Sequence, residues 1–285
     1  MFARRTLLLG SLAGLPIGKA WADTNHLRDA LGEIEATAQG RLGVHIIDTA
    51  TGREDGWRED ERFLMLSSFK LLASAFVLDR ADRGVDSLDR RIRYRKQDLV
   101  TWSPVTERHV GGDGLSLAQL CEATITTSDN TAANLILASY GGPDALTAYA
   151  RRLGDTVTRL DRTEPELNRR PASGEPLDTT TPRAMAHTVN KLVLGDALKP
   201  SSREQLLNWL LANTTGGKRL RAGVPAGWRI GEKTGTAGDD ANDIGIALPP
   251  QRAPIIVTAY LAESATDSAT RDTALASVGR LLAQV

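Results

Sequence analysis

The sequence has little cysteine and no excess charge, and both facts narrow the classes of protein it can encode. One cysteine, Cys121, stands among 285 residues, so no internal disulfide can form and the core must stabilise the fold. Cys121 lies in an apolar helical stretch, which favours a packing role over a nucleophilic one. Acidic and basic residues number 35 each, so no net field favours a polyanion, and we expect no nucleic-acid partner.

Motifs of several enzyme classes are also missing. The four histidines show neither the His-x-His nor the His-Glu-x-x-His spacing of metal hydrolases. No Gly-x-Ser-x-Gly segment and no Walker-type Gly-x-x-x-x-Gly-Lys segment occurs. We therefore expect neither a metal nor a cofactor. Each histidine is predicted to be a surface or packing residue: His26, His45, His109 and His187.

Residues 1–22 have the layout of an export signal peptide. A basic start, Arg4-Arg5, precedes an apolar run over residues 7–17 and a small-residue ending, Ala20-Trp21-Ala22. The run is too short to span a membrane stably. The arginine pair resembles a twin-arginine signal, and a general secretory signal with a chance pair is the alternative. We predict an exported protein, periplasmic or secreted, with no stable membrane insertion once the signal is removed.

The order of predicted elements indicates an α+β protein. Strand-like segments lie near both ends of the chain, and helical periodicity dominates between them, so we predict a sheet built from both termini with a helical insertion. Strands are predicted at 42–48, 229–234, 242–248 and 255–261. A further strand is predicted to end at residue 63. The helices are predicted at 67–83, 117–126, 131–138, 143–152, 182–194, 201–211 and 268–282.

These elements predict a division into two domains. Residues 23–62 and 212–285 are expected to form an α/β domain, and residues 63–211 an all-helical domain. Within the second, residues 161–181 contain three prolines and little apolar periodicity. Because irregular loops of that length are usually functional or disordered, we expect residues 161–181 to form an active-site loop.

The first chemical motif is Ser67-Ser68-Phe69-Lys70, at the predicted start of a helix. Residues three apart share a helix face, so the Ser67 hydroxyl and the Lys70 amine become neighbours. A hydroxyl becomes an effective nucleophile when a nearby base takes its proton, and a neutral lysine can do this. Taken alone the spacing is common, and a helix-start serine beside a solvated lysine is the ordinary explanation.

The second motif, Ser128-Asp129-Asn130, lies in a turn between two helical runs. Ser128 offers a hydroxyl that can relay a proton, and Asn130 offers an amide that can bind a carbonyl group. All three residue types also favour helix starts. The alternative is therefore an N-cap cluster, in which Asp129 caps or braces the helix.

The third motif, Glu164-Pro165-Glu166-Leu167-Asn168, lies in the long loop. A carboxylate and an amide on one short segment can hold a water for deprotonation, and general-base assistance of this kind is worth roughly 10²–10⁴ in rate. A solvated loop acid is the alternative interpretation of Glu164.

The fourth motif, Lys233-Thr234-Gly235-Thr236, ends a predicted strand. Its cation and hydroxyls can hold a substrate carboxylate, and Gly235 lets a ligand approach the backbone. A strand that ends in a turn is the alternative. All four motifs in this order are expected by chance in fewer than about one chain in a thousand at ordinary residue frequencies. We therefore interpret the four motifs as parts of one site.

Together the motifs resemble those of class A serine β-lactamases, which belong to the penicillin-recognising serine acyltransferase superfamily. The resemblance covers the chain from about residue 23 onward, and it is clearest at 64–70, 128–137, 160–168 and 231–238. It implies an antiparallel sheet of about five strands flanked by helices, with an inserted all-α domain. It also implies a monomeric enzyme that hydrolyses β-lactam antibiotics, penicillins and cephalosporins, and so confers antibiotic resistance.

The resemblance assigns a catalytic role to four residues. Ser67 attacks the lactam carbonyl, and Ser128 passes a proton to the leaving nitrogen. Glu164, with Asn168, activates the water that hydrolyses the acyl-enzyme. Lys70 and Glu164 both remain candidates for the base that takes the Ser67 proton.

The same resemblance implies a set of substrate-binding residues. The backbone N–H groups of Ser67 and Thr236 are expected to hold the oxyanion. Arg162 and Asp178 resemble an ion pair that pins the two ends of the loop. The residues expected to bind substrate are Trp102 at the cleft entrance, Asn130 at the side-chain amide, Asn168 with the water, Arg219 beside the carboxylate, and Lys233, Thr234, Gly235 and Thr236 on the strand. For Trp102 and Arg219, ordinary packing and an ordinary surface position are the alternatives.

Two other functions remain open at this point. A DD-peptidase or transpeptidase, or a β-lactam sensor that acylates without turnover, would share the other three motifs but lack an effective deacylating base. Glu164 and Asn168 therefore argue against both. Carbapenem-hydrolysing members carry cysteines where this chain has Leu66 and Ala237, which argues against that subclass.

Overall fold

The computed structural model describes residues 24–285, and the predicted signal peptide at 1–22 lies outside the described residues. The elements of the described part are, in chain order, α1 (Thr24–Ala38), β1 (Arg41–Asp48), β2 (Arg53–Trp57), β3 (Phe63–Leu64), α2 (Phe69–Asp82), β4 (Arg91–Ile92), β5 (Leu115–Ser116), α3 (Leu117–Thr126), α4 (Asn130–Tyr140), α5 (Gly142–Arg152), β6 (Thr179–Thr180), α6 (Pro182–Val193), α7 (Pro200–Leu211), α8 (Leu220–Gly223), β7 (Arg229–Ala237), β8 (Asp240–Leu248), β9 (Ile255–Ala262) and α9 (Ser268–Leu281). No helix among residues 24–285 has the length and hydropathy needed to span a bilayer.

Five strands form one antiparallel sheet in the order β2-β1-β9-β8-β7. Strand β1 from the beginning of the chain pairs with β9 near its end, from Arg41 opposite Ala262 to Asp48 opposite Ile255. The helices α2 to α7 lie between these strands in the sequence. The α+β fold with a sheet built from both termini is therefore confirmed. The strand predicted to end at residue 63 is wrong in detail, because β2 ends at Trp57 and β3 pairs separately with β6.

Along the strands of the sheet, apolar residues alternate between the two faces. Both faces are therefore apolar, and both are covered by helices. In β9, Val257 and Ala259 belong to an apolar cluster that includes α1 and α9. Ile256 and Tyr260 belong to a second cluster that continues through α2 to α7. Period-two alternation of this kind is what a strand with two buried faces requires. Because the second cluster runs from the sheet into the helices, the division at residues 63 and 211 stays a prediction.

Candidate active site

The predicted nucleophile lies in the turn that begins α2. Residues Leu66–Ser68 form one turn of 3-10 helix, and α2 continues from Phe69. Lys70 Nζ donates a hydrogen bond of 2.9 Å to Ser67 Oγ, as the three-residue spacing predicts. The nucleophile turn is braced from the sheet, since Asn242 of β8 donates to the carbonyl oxygens of Leu64 at 2.9 Å and Met65 at 3.1 Å.

Lys70 is completely buried, with 0% of its surface exposed. Burial lowers the pKa of its ammonium group, and the charge of Glu164 opposes that shift. A lowered pKa increases the fraction of neutral amine, which can accept a proton from a neighbouring hydroxyl. Besides Ser67, the groups around the amine are Ser128 O at 2.9 Å, Asn130 Oδ1 at 2.5 Å and Glu164 Oε1 at 3.1 Å.

Ser128 lies between two lysines. Its backbone has a left-handed φ of +61°, and its Oγ accepts from Lys70 Nζ at 3.3 Å and from Lys233 Nζ at 3.1 Å. The neighbouring Asp129 caps α4 by accepting from the backbone N–H of Ala132 at 2.8 Å. Asp129 thus has the capping role that the sequence indicated, and the Ser128 hydroxyl joins a hydrogen-bonded chain that runs from Ser67 through Lys70 to Lys233.

Glu164 reaches this chain from the long loop. Its Oε1 accepts from Ser67 Oγ at 3.3 Å, and its Oε2 accepts from Asn168 Nδ2 at 2.6 Å. The carboxylate is 2% exposed, and the carbonyl oxygen of the Asn168 amide is buried without a partner among the described residues. The predicted pairing of a carboxylate and an amide on one segment is therefore present beside Ser67.

Asn134, which the sequence reading missed, fixes the backbone of Glu164. Its Oδ1 accepts from the Glu164 N–H at 2.9 Å, and its Nδ2 donates to the Glu164 carbonyl oxygen at 2.9 Å. Asn134 lies on α4, one turn after Asn130. The spacing of four residues could have suggested a shared face, but no local pattern identifies a partner 30 positions along the chain.

The loop is fastened at its ends and at its side. Arg162 Nε donates to Asp178 Oδ2 at 2.6 Å, so the predicted ion pair forms. Arg170 contacts Asp240, the first residue of β8, at 2.5 Å and Asp239 in the preceding turn at 3.3 Å. The loop that carries Glu164 is thus tied to the β7–β8 hairpin, whose first strand carries the fourth motif.

Strand β7 presents the fourth motif to the nucleophile turn. Lys233 is fully buried, and burial lowers the pKa of its amine well below the usual value, with the nearby charge of Lys70 adding to the effect. A side chain at Gly235 would meet Leu66 Cβ at 2.9 Å and Ser67 N at 3.2 Å. Only glycine therefore allows β7 to lie this close to the backbone of Ser67, whose N–H is the expected oxyanion donor.

Arg219 is hydrogen-bonded to strands β7 and β8. Its Nη1 donates to the carbonyl oxygens of Gly235 at 2.8 Å and Asn242 at 2.9 Å, its Nη2 donates to Thr236 Oγ1 at 2.7 Å, and its Nε donates to Asp272 at 2.8 Å. A guanidinium has five N–H groups, so one on Nη2 remains. The predicted contact of Arg219 with a substrate carboxylate therefore depends on that one donor, beside Thr236.

A pair of buried carboxyl groups, Glu232 and Asp243, was also missed. Glu232 precedes Lys233 on β7, and Asp243 precedes Ile244 on β8. Lys233 and Ile244 are partners in the register of the two strands. Burial raises the pKa of both, that of Asp243 well above its ordinary value of 3.8, and the charge of Glu232 raises it further. Two carboxyl groups in one dry site cannot both ionise readily, so we expect the pair to hold one proton.

The motif residues line a cavity of about 400 Å³. Trp102 stands at its mouth with 62% of its surface exposed, and its Nε1 donates to the Thr127 carbonyl at 3.0 Å. Larger cavities of about 590 and 520 Å³ lie elsewhere and contain none of the motif residues. The lining residues of the 400 Å³ cavity are Ser67, Trp102, Ser128, Asn130, Asn168, Thr215, Thr234 and Thr236.

Comparisons with known proteins identify the family of the chain. The model of the beta-lactamase enzyme family matches residues 26–285. Beta-lactamase L2 of Stenotrophomonas maltophilia is 50% identical over 250 residues, which cover 87% of this chain and 82% of that protein. Beta-lactamase CTX-M-8 of Citrobacter amalonaticus is 41% identical over 283 residues, or 98% and 96% of the two chains. The structure of an ancestral class A beta-lactamase matches with a TM-score of 0.88 and 60% identity, covering 90% of this chain and 98% of that one.

The chain therefore belongs to the class A serine β-lactamases. The predicted family and the predicted class of enzyme are both confirmed.

Proposed function

We propose that this enzyme hydrolyses β-lactam antibiotics through an acyl-enzyme on Ser67, which Glu164 helps water to cleave, and that it thereby confers resistance. One observation carries the proposal. The Ser67 hydroxyl lies 2.9 Å from the Lys70 amine and 3.3 Å from the Glu164 carboxylate, so a nucleophile and two groups able to accept its proton meet at one point. General-base candidates must lie within such a distance of the proton that they take.

In the acylation step, Ser67 Oγ attacks the lactam carbonyl carbon and the ring C–N bond breaks. The proton leaves Ser67 either directly to a neutral Lys70 or through a water to Glu164. The hydrogen-bonded chain from Lys70 to Ser128 then offers a path by which the Ser128 hydroxyl protonates the leaving nitrogen. The backbone N–H groups of Ser67 and Thr236 stabilise the oxyanion, and the loss of one such donor typically costs about 10²–10³ in kcat.

In the deacylation step, Glu164 takes a proton from a water that attacks the ester carbon. The bond from that carbon to Ser67 Oγ then breaks, and Glu164 returns the proton to Oγ, from which it lies 3.3 Å in the free site. The 2.6 Å bond from Asn168 fixes one oxygen of the Glu164 carboxylate. The unpartnered carbonyl oxygen of Asn168 supplies a second acceptor for the attacking water. Asn134 supports this role indirectly, because its amide holds the Glu164 backbone on both sides. A sensor that stops at the acyl-enzyme has no need of such a device.

The groups in and beside the cavity support a mode of substrate binding. The ammonium of Lys233 and the hydroxyls of Thr234 and Thr236 bind the carboxylate that penicillins and cephalosporins carry, and the remaining N–H of Arg219 adds a fourth donor. Trp102 covers the ring system at the mouth of the cavity. Asn130 binds the side-chain amide through its Nδ2, which in the free site donates to the Thr101 carbonyl at 2.8 Å.

We also propose that the enzyme acts as an exported monomer in the periplasm or outside the cell. The support for export is the sequence of residues 1–22, whose arginine pair favours the twin-arginine route. The monomer is what the resemblance to the family implies. Blocking that route in a host strain and measuring lactamase activity in the periplasmic fraction tests the route. Sedimentation of the purified protein tests the monomer.

The decisive experiment is a turnover assay with a chromogenic cephalosporin followed by a variant at the deacylating base. The wild type is expected to turn over many equivalents, whereas a peptidase or sensor gives one burst. Glu164→Gln should convert the wild type into an enzyme that accumulates an acyl adduct on Ser67, visible as a mass increase of the intact protein.

The matched control is Glu166→Gln, which makes the same change two residues along the loop at an exposed carboxylate. It should turn over like the wild type. Hydrolysis by Glu164→Gln at the wild-type rate without an adduct would contradict the assigned role. A burst of normal speed in Glu164→Gln would favour Lys70 as the acylation base, and a slowed burst would favour Glu164.

A further inference from the structure

Two histidines that are distant in sequence meet at one carboxylate on the far edge of the sheet. His45 lies on β1, Glu54 on β2 and His187 on α6. His45 Nε2 is 3.0 Å from Glu54 Oε2, and His187 Nε2 is 3.2 Å from the same oxygen. The register explains the first contact, because His45 lies opposite Gly56, two residues from Glu54. Diagonal neighbours of this kind are within reach of long side chains.

The second nitrogen of His45 is held from behind. His45 Nδ1 lies 2.6 Å from Glu59 Oε2, and the ring is fully buried. Arg183 contacts the other oxygen of Glu59 at 2.6 Å, which holds that carboxylate in place. Since a carboxylate only accepts, the proton of this contact is on Nδ1. A histidine that donates one N–H to a carboxylate and points its other nitrogen at a second ligand has the arrangement typical of metal-binding histidines.

Each of the three groups directs one atom at a shared point. Nδ1 of His45 is engaged by Glu59, so Nε2 is the ring atom that faces Glu54 Oε2. His187 Nε2 approaches the same oxygen. The carboxylates of Glu54, Glu59 and Asp60 all lie around the guanidinium of Arg183, and acidic surroundings of this kind favour a cation.

The distances fit a tetrahedral metal ion. Ligand atoms about 2.1 Å from a tetrahedral zinc lie about 3.4 Å apart. The two N–O separations in this cluster are 3.0 and 3.2 Å, and all three ligand atoms lie within 4.8 Å of one another. Two imidazoles and one carboxylate are a known zinc donor set that leaves the fourth position for water. The side chains of His187 and Glu54 are 44% and 31% exposed, which gives an ion a way in.

We propose that His45, Glu54 and His187 bind one zinc ion, with Glu59 orienting His45. The ion would join the β1–β2 edge of the sheet to α6, the helix that follows the active-site loop. It takes no part in β-lactam hydrolysis, because none of its ligands lines the cavity that contains Ser67. The proposal therefore does not depend on the proposed function. Because the ion binds only the folded arrangement, it is expected to raise the Tm.

The test is titration of the full chain, produced without a polyhistidine tag and freed of metal by a chelator, with zinc sulfate in a calorimeter. We expect one equivalent to bind. The same protein titrated with cobalt(II) should develop the intense visible bands of tetrahedral coordination. His187→Ala, which changes a half-exposed side chain and is expected to fold, should weaken zinc binding at least 10-fold, and Glu59→Gln should weaken it by about 10- to 100-fold as a positioning residue.

The matched control is His109→Ala, which removes an exposed histidine from the turn Thr106–His109. It should bind zinc as the wild type does. The proposal is overturned if the wild type binds no stoichiometric zinc, in which case the cluster is a network of ion pairs alone. It is also overturned if His187→Ala binds zinc as tightly as the wild type.

Discussion

Removal of the Asp178 carboxylate is expected to loosen the active-site loop and to destabilise the fold by an amount that the contacts allow us to work out. Its two oxygens accept three hydrogen bonds, from the backbone N–H of Asp161 at 2.8 Å, the backbone N–H of Arg162 at 2.9 Å and the Arg162 side chain at 2.6 Å. The Asp178 side chain is fully buried, and that of Arg162 is 25% exposed. All three donors lose their acceptor in Asp178→Ala.

The expected loss in the free energy of unfolding is about 3 kcal/mol for Asp178→Ala. Removing one partner of a buried ion pair costs about 3–5 kcal/mol, and the lower end applies because Arg162 can turn toward water. The three bonds share one carboxylate, so their separate values do not add. Asp178→Asn keeps an oxygen for the two backbone donors but turns an amide N–H₂ toward Arg162. We therefore expect it to lose about 2 kcal/mol, the value of one charge-assisted bond.

Urea unfolding followed by far-ultraviolet circular dichroism measures this loss as a lower midpoint with an unchanged slope. The control is Asp113→Asn, which breaks an ion pair with Arg93 whose side chains are 82% and 79% exposed and which should change stability by less than about 1 kcal/mol. The loop carries Glu164, so deacylation should also slow, by up to about 100-fold. The effect should be larger in Asp178→Ala than in Asp178→Asn. If Asp178→Ala were no less stable than Asp113→Asn, the assigned anchoring role would be refuted.

Three further predictions concern single positions. Gly235→Ala brings a methyl carbon within 2.9 Å of Leu66 and should lower kcat strongly, whereas Gly217→Ala, with nothing within 4 Å, should not; equal kcat values would contradict this. Burial raises the pKa of Asp243, so the folded state keeps a proton that the unfolded chain releases above the ordinary value of 3.8. Stability should therefore fall as pH rises from about 4 toward neutral, and Asp243→Asn should lack that component in urea midpoints. Cys121 is fully buried with its pKa raised to about 12, so a disulfide reagent should label it only after unfolding; stoichiometric labelling of the native protein would show otherwise.

Local patterns predicted the elements that carry the motifs. The helix that places Lys70 beside Ser67 follows from apolar periodicity and a spacing of three residues. Helix α1 escaped prediction, because its buried face rests on few apolar residues such as Leu27 and Leu31. Tertiary packing against the sheet, rather than a strong local pattern, stabilises a helix of this kind.

Contacts between distant segments could not be predicted from the sequence. Asn134 meets Glu164 only because α4 and the loop pack together, and neither spacing nor composition encodes that contact. The contacts of His45 and His187 are a second example of contacts that the sequence does not predict. Their spacing along the chain gave no indication of a metal site, yet the pairing of β1 with β2 and the packing of α6 bring His45 and His187 to one carboxylate.

The charged groups beside the cavity favour the proposed binding of an anion, but such binding alone would not define the enzyme. The amines of Lys70 and Lys233 are fully buried, and burial lowers the pKa of both. The charge of the Glu164 carboxylate opposes this shift. A ligand carboxylate beside Lys233 would neutralise the charge of that amine. The positive charge of the site is therefore balanced only when an anion is bound. A peptide with a free carboxyl end would satisfy the same demand as a penicillin. In the proposed mechanism, what distinguishes a β-lactamase from a DD-peptidase or a sensor is therefore the contact of Glu164 with Asn168, rather than the lysines proposed to bind the substrate.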